Sequence, residues 1–147
     1  DPSIPLVQGD GDLLIQAILN IVRNAAQAVG ARGHIVIRTR IHRQVTIGHK
    51  RNRLAVKVDV QDDGPGIPEN ERDLIFERFY RVLGNEAPGS GLGLAIVREI
   101  AELHRGSVQL KPGPEGRGTL AQAVFRRRRF TVSALLAQAP EKFQPTL

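Results

Sequence analysis

Residues 54–68 read LAVKVDVQDDGPGIP, an alternating segment that runs directly into a glycine-rich turn. Apolar and polar side chains alternate over residues 54–61, which predicts a half-buried strand. Asp62-Asp63-Gly64-Pro65-Gly66-Ile67 predicts a turn, because Asp, Gly and Pro are the usual turn formers. A carboxylate at a strand end can also accept a hydrogen bond from an exocyclic amine, and glycines let the backbone approach a flat ring. Taken alone, the motif favours an ordinary turn over a binding site.

Three more strands are predicted around this segment. Residues 34–41 alternate in the same way, and the basic stretch that follows predicts a long hairpin connection with Gly48 at or near its tip. Strands near residues 106–111 and 119–125 flank a turn rich in Gly and Pro. The strands are therefore expected to be linked by hairpins.

A first long helix precedes the strands. Asp10 or Asp12 can cap it, since a short carboxylate accepts from the free amides of the first turn, and the helix should stop at Gly30. Its apolar residues recur at helical spacing, at Leu14, Ile18, Ile21, Ala25 and Ala28.

The segment after the turn predicts a short helix, a loop and a second long helix. Pro68 suits a first helical position and opens an acidic helix that runs to about Ile75. A loop rich in Gly, Pro and Asn spans about 81–91, and the second long helix covers 92–104. Helices segregated from hairpin-linked strands indicate a two-layer α/β sandwich.

The first helix carries a carboxamide stripe that its core role does not require. Gln16, Asn20, Asn24 and Gln27 follow one another at spacings of four, four and three, which at helical periodicity makes a stripe roughly 80° wide. An amide oxygen is a neutral hard ligand, suited to magnesium that already sits on phosphates. The alternative is a solvated helix face.

The second long helix begins in a glycine-rich motif, Gly89-Ser90-Gly91-Leu92-Gly93-Leu94. Free amides at a helix start attract anions, and glycines let a phosphate reach them. The motif is not a P-loop, which needs Gly-Lys followed by Ser or Thr, and it lacks the leading strand of a dinucleotide fingerprint. It therefore predicts an anion site of unspecified kind.

Glu77-Arg78-Phe79-Tyr80-Arg81 lies before the loop. Arg78 or Arg81 could reach a phosphate. Alternatively, the segment is an amphipathic anchor in which Phe76 and Phe79 pack inward and the charged side chains face water.

Five motifs in one order resemble those of bacterial sensor histidine kinases. Asn20-Ile-Val-Arg-Asn24-Ala25 resembles the N box, and Asp62-Asp-Gly64-Pro-Gly66-Ile67 resembles the first glycine box. Phe76-Glu-Arg-Phe79-Tyr80 resembles the F box, and the second and third glycine boxes are matched by Gly89-Ser-Gly91-Leu-Gly93-Leu94 and Gly116-Arg-Gly118-Thr119. The resemblance covers about residues 1–125. It implies the Bergerat ATP-binding fold, a mixed β-sheet with helices on one face and a flexible ATP lid.

The resemblance implies a role for each motif. Asp62 would accept a hydrogen bond from the adenine amine, and Thr119 would support the adenine end of the site. Asn24 would hold magnesium, and Asn20 would help at the phosphates, so these two are the candidate catalytic residues. Residues 68–91 would form the ATP lid. The full set of implied ATP-binding residues is Asn20, Asn24, Gln27, Asp62, Gly64, Gly66, Ile67, Arg78, Phe79, Tyr80, Arg81, Gly89, Ser90, Gly91, Leu92, Gly93, Leu94 and Thr119.

The resemblance also implies phosphoryl transfer rather than hydrolysis. Hydrolysing members of this superfamily carry a glutamate one helical turn before the magnesium-binding Asn, and here that position is Asn20. An amide cannot take a proton from water at neutral pH. None of the four histidines, His34, His42, His49 and His104, opens an acceptor helix like the family's. The phosphoryl group would therefore pass to a histidine on a separate dimerisation domain.

Residues 14–28 and 54–68 look most like nitrogen-regulation sensor kinases. This implies a cytoplasmic two-component system with the dimerisation domain of the same kinase and a response regulator as partners, and a small trimeric nitrogen-signal protein as a further one. Two alternatives share the fold: an anti-sigma-factor serine kinase and a regulatory interaction module without catalysis. The length of residues 68–91 argues against the first, and the intact Asn24 and Asp62 argue against the second.

Composition limits the other function classes. The chain has no cysteine, so no thiolate metal site is expected. Its start does not resemble a signal peptide, and we expect no membrane-spanning segment. The net charge of +6 is concentrated in residues 42–53 and 126–147, each of net charge +4. Because these segments look peripheral, nucleic-acid binding is not expected. Residues 126–147 should be a basic tail outside the domain, disordered or forming a short amphipathic helix.

Overall fold

The computed structural model of the chain describes residues 4, 7, 9–82 and 89–126. Two α-helices, α1 (Gly11–Val29) and α2 (Gly93–Leu103), form one layer. Four strands, β1 (Ile35–Ile47), β2 (Lys50–Asp62), β3 (Ser107–Pro112) and β4 (Thr119–Arg126), form the other. The two-layer α/β sandwich expected from the sequence is therefore confirmed.

Helix α1 begins and ends at the residues that the sequence predicted. Asp10 caps it, because its Oδ1 accepts from the backbone N–H groups of Asp12 and Leu13 at 3.0 and 3.1 Å. Gly30 ends it. Residues 11–32 are also long and apolar enough to cross a membrane by length and composition, contrary to our expectation for any run in this chain. The buried residues of α1, Ala17, Ile21 and Ala25, belong to the core of the sandwich.

Strands β1 and β2 form a hairpin of two 13-residue strands. The prediction of a long basic loop between them was wrong. Register continues from Ile35 opposite Asp62 to Ile47 opposite Lys50, which leaves only a tight turn at Gly48. Gly48 has a φ of 59° and occupies the tip, as expected, because glycine adopts this left-handed backbone without penalty.

The sheet has the order β1-β2-β4-β3. All three pairings among the described strands are antiparallel. Strands β2 and β3 run in the same direction. However, β4 lies between them and is antiparallel to both, so they do not pair.

The core lies between the sheet and the helices. Its sheet side is built from alternate residues of β2 and β4, including Val58, Val60, Ala121 and Ala123. The two helices are also tied at their ends, because the backbone N–H of Asp10 donates to His104 Nε2 at 3.0 Å. His104 Nδ1 lies 2.7 Å from the carbonyl of Ile100, so this ring is a structural element, as expected.

The segment between β2 and α2 departs from the predicted acidic helix. It forms two short 3₁₀ turns, Glu69–Glu71 and Leu74–Phe76, and Pro68 precedes the first turn instead of opening it. Pro68 has a ψ of 143°, an extended conformation that does not start a helix. The expected lid, residues 68–91, contains 83–88, which lie outside the described residues.

Candidate functional site

Asp62 is the buried carboxylate at the end of β2. Its Oδ1 accepts from the backbone N–H groups of Gly64 at 2.9 Å and Thr119 at 3.2 Å. Burial raises the pKa of Asp62 above its usual value of 3.8, and the two backbone hydrogen bonds and neighbouring Asp63 modify the shift. No described group donates to Oδ2, so this oxygen is the one that can accept from a ligand.

Three glycines lie close to Asp62 or to the backbone around it. A Cβ on Gly118 would lie 1.9 Å from the carbonyl oxygen of Asp62, and Gly118 has a φ of 69°, so no other residue fits there. A Cβ on Gly66 would lie 3.0 Å from the carbonyl oxygen of Gly118. A Cβ on Gly64 would lie 3.0 Å from Ala28 O in α1. The turn, β4 and α1 therefore meet around one carboxylate, and we name this region the Asp62 end.

An exposed pair braces the turn from outside. The backbone N–H of His34 donates to Asp63 Oδ1 at 2.8 Å, and His34 Nδ1 lies 3.0 Å from Asp63 Oδ2. These contacts hold the pKa of Asp63 below its usual value, and the backbone hydrogen bond has the larger effect. The pair joins the chain before β1 to the end of β2, beside Asp62. This pairing could not be predicted from local sequence, because 29 residues separate its members.

The carboxamides of α1 meet the start of α2. Asn20 Nδ2 lies 3.4 Å from the carbonyl oxygen of Gly93. A Cβ on Gly93 would lie 3.7 Å from Asn24 Nδ2. Two candidate residues from one predicted motif therefore face the glycine-rich helix start of another. We name this region the Asn24 end; free amides at the start of α2 suit an anion there.

Helix α1 sets the distance between the two ends. Asn20 and Asn24 belong to the Asn24 end, and Ala28 touches the Asp62 end. At 1.5 Å per residue, eight residues from Asn20 to Ala28 span about 12 Å. The arrangement thus offers a carboxylate at one end of an elongated site and carboxamides with helix amides at the other.

Phe79 does not pack inward as the amphipathic interpretation required. Phe76 is buried, but Phe79 is 71% exposed and has a φ of 66°. The 3₁₀ turn ends at Phe76, so the helical spacing that would have placed both rings on one face does not continue. The backbone of Phe79 does have a role, because its N–H donates to the carbonyl of Gly91 at 2.9 Å. This bond joins the two sides of the expected lid.

Arg78 forms an ion pair with exposed Glu99 on α2. Tyr80 does anchor its segment: its hydroxyl donates to Glu71 Oε2 at 2.9 Å, and that bond raises the pKa of the phenol. Arg98 on α2, which the sequence did not single out, stacks over the Phe76 ring at 4.5 Å and donates to Asp73 O at 3.1 Å.

The remaining candidates fall into two groups. Gln27, Arg81, Gly89 and Ser90 are exposed, whereas Ile67, Gly91 and Leu92 are half-buried. Leu94 belongs to the hydrophobic core, so only its backbone is free for a ligand. Sequence reasoning left Gly118 out of the site, although the motif Gly116-Arg-Gly118-Thr119 contained it.

Comparison with known proteins agrees with this geometry. Residues 9–129 match the family described as histidine kinase-, DNA gyrase B-, and HSP90-like ATPase. The match covers most of the chain, and the chain therefore belongs to this ATPase family. The resemblance drawn from the five motifs is confirmed.

Its relatives include bacterial sensor kinases. The chain is 43% identical over 115 residues to the sensory histidine kinase/phosphatase NtrB of Escherichia coli O157:H7, covering 78% of this chain and 32% of the relative. It is 42% identical over 120 residues to NtrB of Rhodobacter capsulatus, with the same coverage. The chain thus spans about a third of the length of these curated relatives.

Solved structures show the same fold. The mycobacterial sensor histidine kinase MprB is 34% identical, with a TM-score of 0.68 over 84% of this chain and 78% of that one. The nucleotide-free catalytic domain of histidine kinase ThkA is 27% identical, with a TM-score of 0.65 over 82% of this chain and 70% of that one. These neighbours are histidine kinase catalytic domains.

Proposed function

We propose that this chain binds ATP with magnesium and donates the γ-phosphoryl group to a histidine on a separate dimerisation domain. The observation that carries the proposal is the two-ended site on α1. At one end lies the buried carboxylate of Asp62, which already accepts hydrogen bonds from two backbone N–H groups. At the other end, the carboxamides of Asn20 and Asn24 face the start of α2. Residues 1–125 would carry this function.

The Asp62 end fits a base with an exocyclic amine. Asp62 Oδ2 accepts one N–H of adenine, while the close backbone at Gly64, Gly66 and Gly118 shapes a flat slot. Thr119 holds the carboxylate through its backbone N–H. Because Oδ1 is already occupied, the carboxylate is fixed before a ligand arrives.

The donors at the Asn24 end fit magnesium that arrives with ATP. Among the described residues, no group of three or more His, Cys, Asp or Glu side chains could hold a metal alone. A neutral amide from Asn24 suits an ion whose other ligands are phosphate oxygens and water. When bound, magnesium neutralises phosphate charge, while the free amides at Gly93 and Leu94 orient the phosphates.

This chain's own residues favour transfer over hydrolysis. Asn20 lies beside Gly93, where a water-activating base would be needed, and a carboxamide cannot accept that proton. Water near the phosphates is therefore not activated, so the phosphoryl group remains available for a better acceptor. None of the described histidines lies at the Asn24 end: His34 pairs with Asp63 and His104 ties the helices.

The partners follow from this reaction. They are the histidine-bearing dimerisation domain of the same kinase and the response regulator that takes the phosphoryl group next, in a cytoplasmic two-component system. The similarity to NtrB over 78% of the chain supports a nitrogen-regulation kinase, and a small trimeric nitrogen-signal protein is then a further partner.

Transfer to a dimerisation domain in trans tests the proposal. The chain is mixed with the dimerisation domain of the NtrB relative and ATP labelled at the γ-phosphate, with Asn24→Ala as control. We expect acid-labile label on the acceptor that requires magnesium and is lost in the control. Label released as free phosphate, faster than it reaches the acceptor, would mean that the chain is a hydrolase and the proposal is wrong.

A further inference from the structure

The face of the sheet opposite the helices, which we name the open face, is strongly cationic. Core residues Val58 and Val60 of β2 point toward the helices. Lys57 and Asp59, which alternate with them along the strand, therefore point the other way. Register puts Arg38 opposite Asp59 and Arg40 opposite Lys57. Lys111 and Arg126 join them on this face, opposite Leu120 and Ala55.

The positive charge of the open face is not balanced by the chain's described residues. Of the residues just named, Asp59 carries a carboxylate. This carboxylate forms an ion pair with Lys57 at 3.3 Å and accepts a hydrogen bond from Gln122 at 3.1 Å. Arg38 donates to a neutral amide, Gln61, at 3.2 Å. No described carboxylate pairs with Arg40, Lys111 or Arg126.

The outer half of the β1–β2 hairpin adds further positive charge. Among the described residues, β2 pairs with β4 from Ala55 to Gln61, and residues 42–53 lie beyond that stretch of the hairpin. They carry Arg43, Lys50, Arg51 and Arg53 without an acidic residue. The sequence suggested two separate peripheral basic segments, but the structure joins the first of them to the cationic open face.

A cavity of about 270 Å³ lies on the open face. Its lining includes side chains that donate hydrogen bonds: His42, Lys57, Ser107, Gln109, Lys111 and Gln122. Such a lining matches a carboxylate, which when ionised is acceptor-only. Charge and hydrogen-bonding capacity therefore point to the same kind of ligand.

We propose that the open face is a docking surface for an acidic protein segment, rich in Asp and Glu. A second copy of this chain does not fit, because two such faces repel. A single-stranded nucleic acid would need aromatic side chains for base stacking, and among the described residues of this face there is no Phe, Tyr or Trp. An anionic membrane would need a bulky apolar anchor beside the cations, and among the described residues of this face the exposed large apolar side chain is Val36.

The surface is separate from the proposed ATP site. That site is built from the helix layer and from the turn after β2, whereas the open face is on the far side of the sheet. An acidic segment can therefore dock while ATP is bound, which is a requirement for any partner that must be held near the reaction. Failure of one proposal does not imply failure of the other.

Charge reversal on the intact chain tests the docking surface. The probe is a fluorescein-labelled poly-glutamate peptide at 0.15 M salt, where surface charges are screened beyond about 8 Å. The test variant is Arg40→Glu with Lys111→Glu. The matched control is Arg32→Glu with Arg105→Glu, which changes net charge equally at exposed positions away from the open face.

We expect the test variant to bind the peptide at least about tenfold more weakly, because each attracting cation becomes a repelling carboxylate. The control variant should stay within about twofold, and both should bind a fluorescent ATP analogue like the wild type. Equal losses in both variants would overturn the proposal, since binding would then follow net charge. Tighter binding of duplex DNA or phosphatidylserine vesicles, with the loss confined to the test variant, would overturn it in favour of those partners.

Discussion

The two ends of the proposed ATP site are built differently. At the Asp62 end, the carboxylate accepts two backbone hydrogen bonds, and glycines pack against it at contact distance. At the Asn24 end, the described contact between α1 and α2 is a long one, 3.4 Å from Asn20 to Gly93. From this difference we expect the proposed base pocket to be formed before a ligand binds, and the proposed phosphate end to be completed by the ligand.

The largest effect should follow from Asp62→Asn. Asn Oδ1 can still accept from Gly64 and Thr119, so the fold should survive. However, its second atom becomes an NH₂ donor, which faces the donor of adenine. Leaving both donors unpaired costs about 1–3 kcal/mol, or roughly a 5- to 150-fold loss of affinity for ATP and ADP alike. Calorimetry on the purified variant checks this, and unchanged affinity would remove Asp62 from the base pocket.

Glycine substitutions compare the rigidity of the two ends. Gly118→Ala should lower the free energy of unfolding by about 1–3 kcal/mol from backbone strain alone, with a further cost for the contact at 1.9 Å from Asp62 O. Gly93→Ala is the matched control, because its nearest neighbour is 3.7 Å away and alanine favours helix. Urea unfolding should show a loss only for Gly118→Ala. Similar losses for both would mean that the ends are equally tight.

The raised pKa of Asp62 predicts a specific pH dependence of stability. A carboxyl whose pKa is higher in the folded state contributes stability below its unfolded value, near 3.8, and loses that contribution as pH rises through the folded pKa. Relative to Asp62→Asn, the wild type without nucleotide should therefore become less stable from acid to neutral pH. Melting temperatures of both proteins across that range measure this. A relative gain for the wild type would show that the hydrogen bonds to Asp62 outweigh its burial.

The smallest effect is expected at His34. Its ring is exposed, and exposed pairs contribute little, while its backbone N–H would still donate to Asp63 after substitution. His34→Ala should therefore change ATP affinity by about twofold or less. Asp63→Ala, which removes both contacts, is the comparison. Fluorescence titration of the two variants would show whether the brace acts through the backbone, and a large effect of His34→Ala would show that the ring positions Asp62.

The sequence predicted the residues of both ends better than the course of the chain from Pro68 to Tyr80. Asp62 and Gly64 were singled out because a strand end followed by turn residues has a strong local pattern, and the structure brings them together with Thr119, which the family resemblance implied. Phe79 was expected to pack inward because its segment was interpreted with helical spacing, and the structure leaves its ring exposed. No pairing of Arg78 with Glu99 was predicted. The chain instead leaves the 3₁₀ turn at Phe76, and the ion pair with Glu99, 21 residues away, cannot be read from local pattern.

In the fold as well, local features were predicted better than long-range ones. Helix α1 was predicted almost to the residue, since Asp10 and Gly30 act locally. The hairpin was predicted too short, because residues 42–53 are basic and their alternation is weak, while pairing across the strands continues to Lys50. The position of β4 between β2 and β3 is a tertiary feature that no single segment encodes.

Magnesium dependence of nucleotide binding is the most direct test of a site with one preformed and one ligand-completed end. A non-hydrolysable ATP analogue is titrated, with and without magnesium, into the wild type, Asp62→Asn and Asn24→Ala. Asp62→Asn should weaken binding by the same factor in both conditions. Asn24→Ala should abolish the gain that magnesium gives the wild type and leave magnesium-free binding unchanged. If Asn24→Ala weakened both conditions equally, or if magnesium gave the wild type no gain, Asn24 would not be at the phosphate end and the account would be wrong.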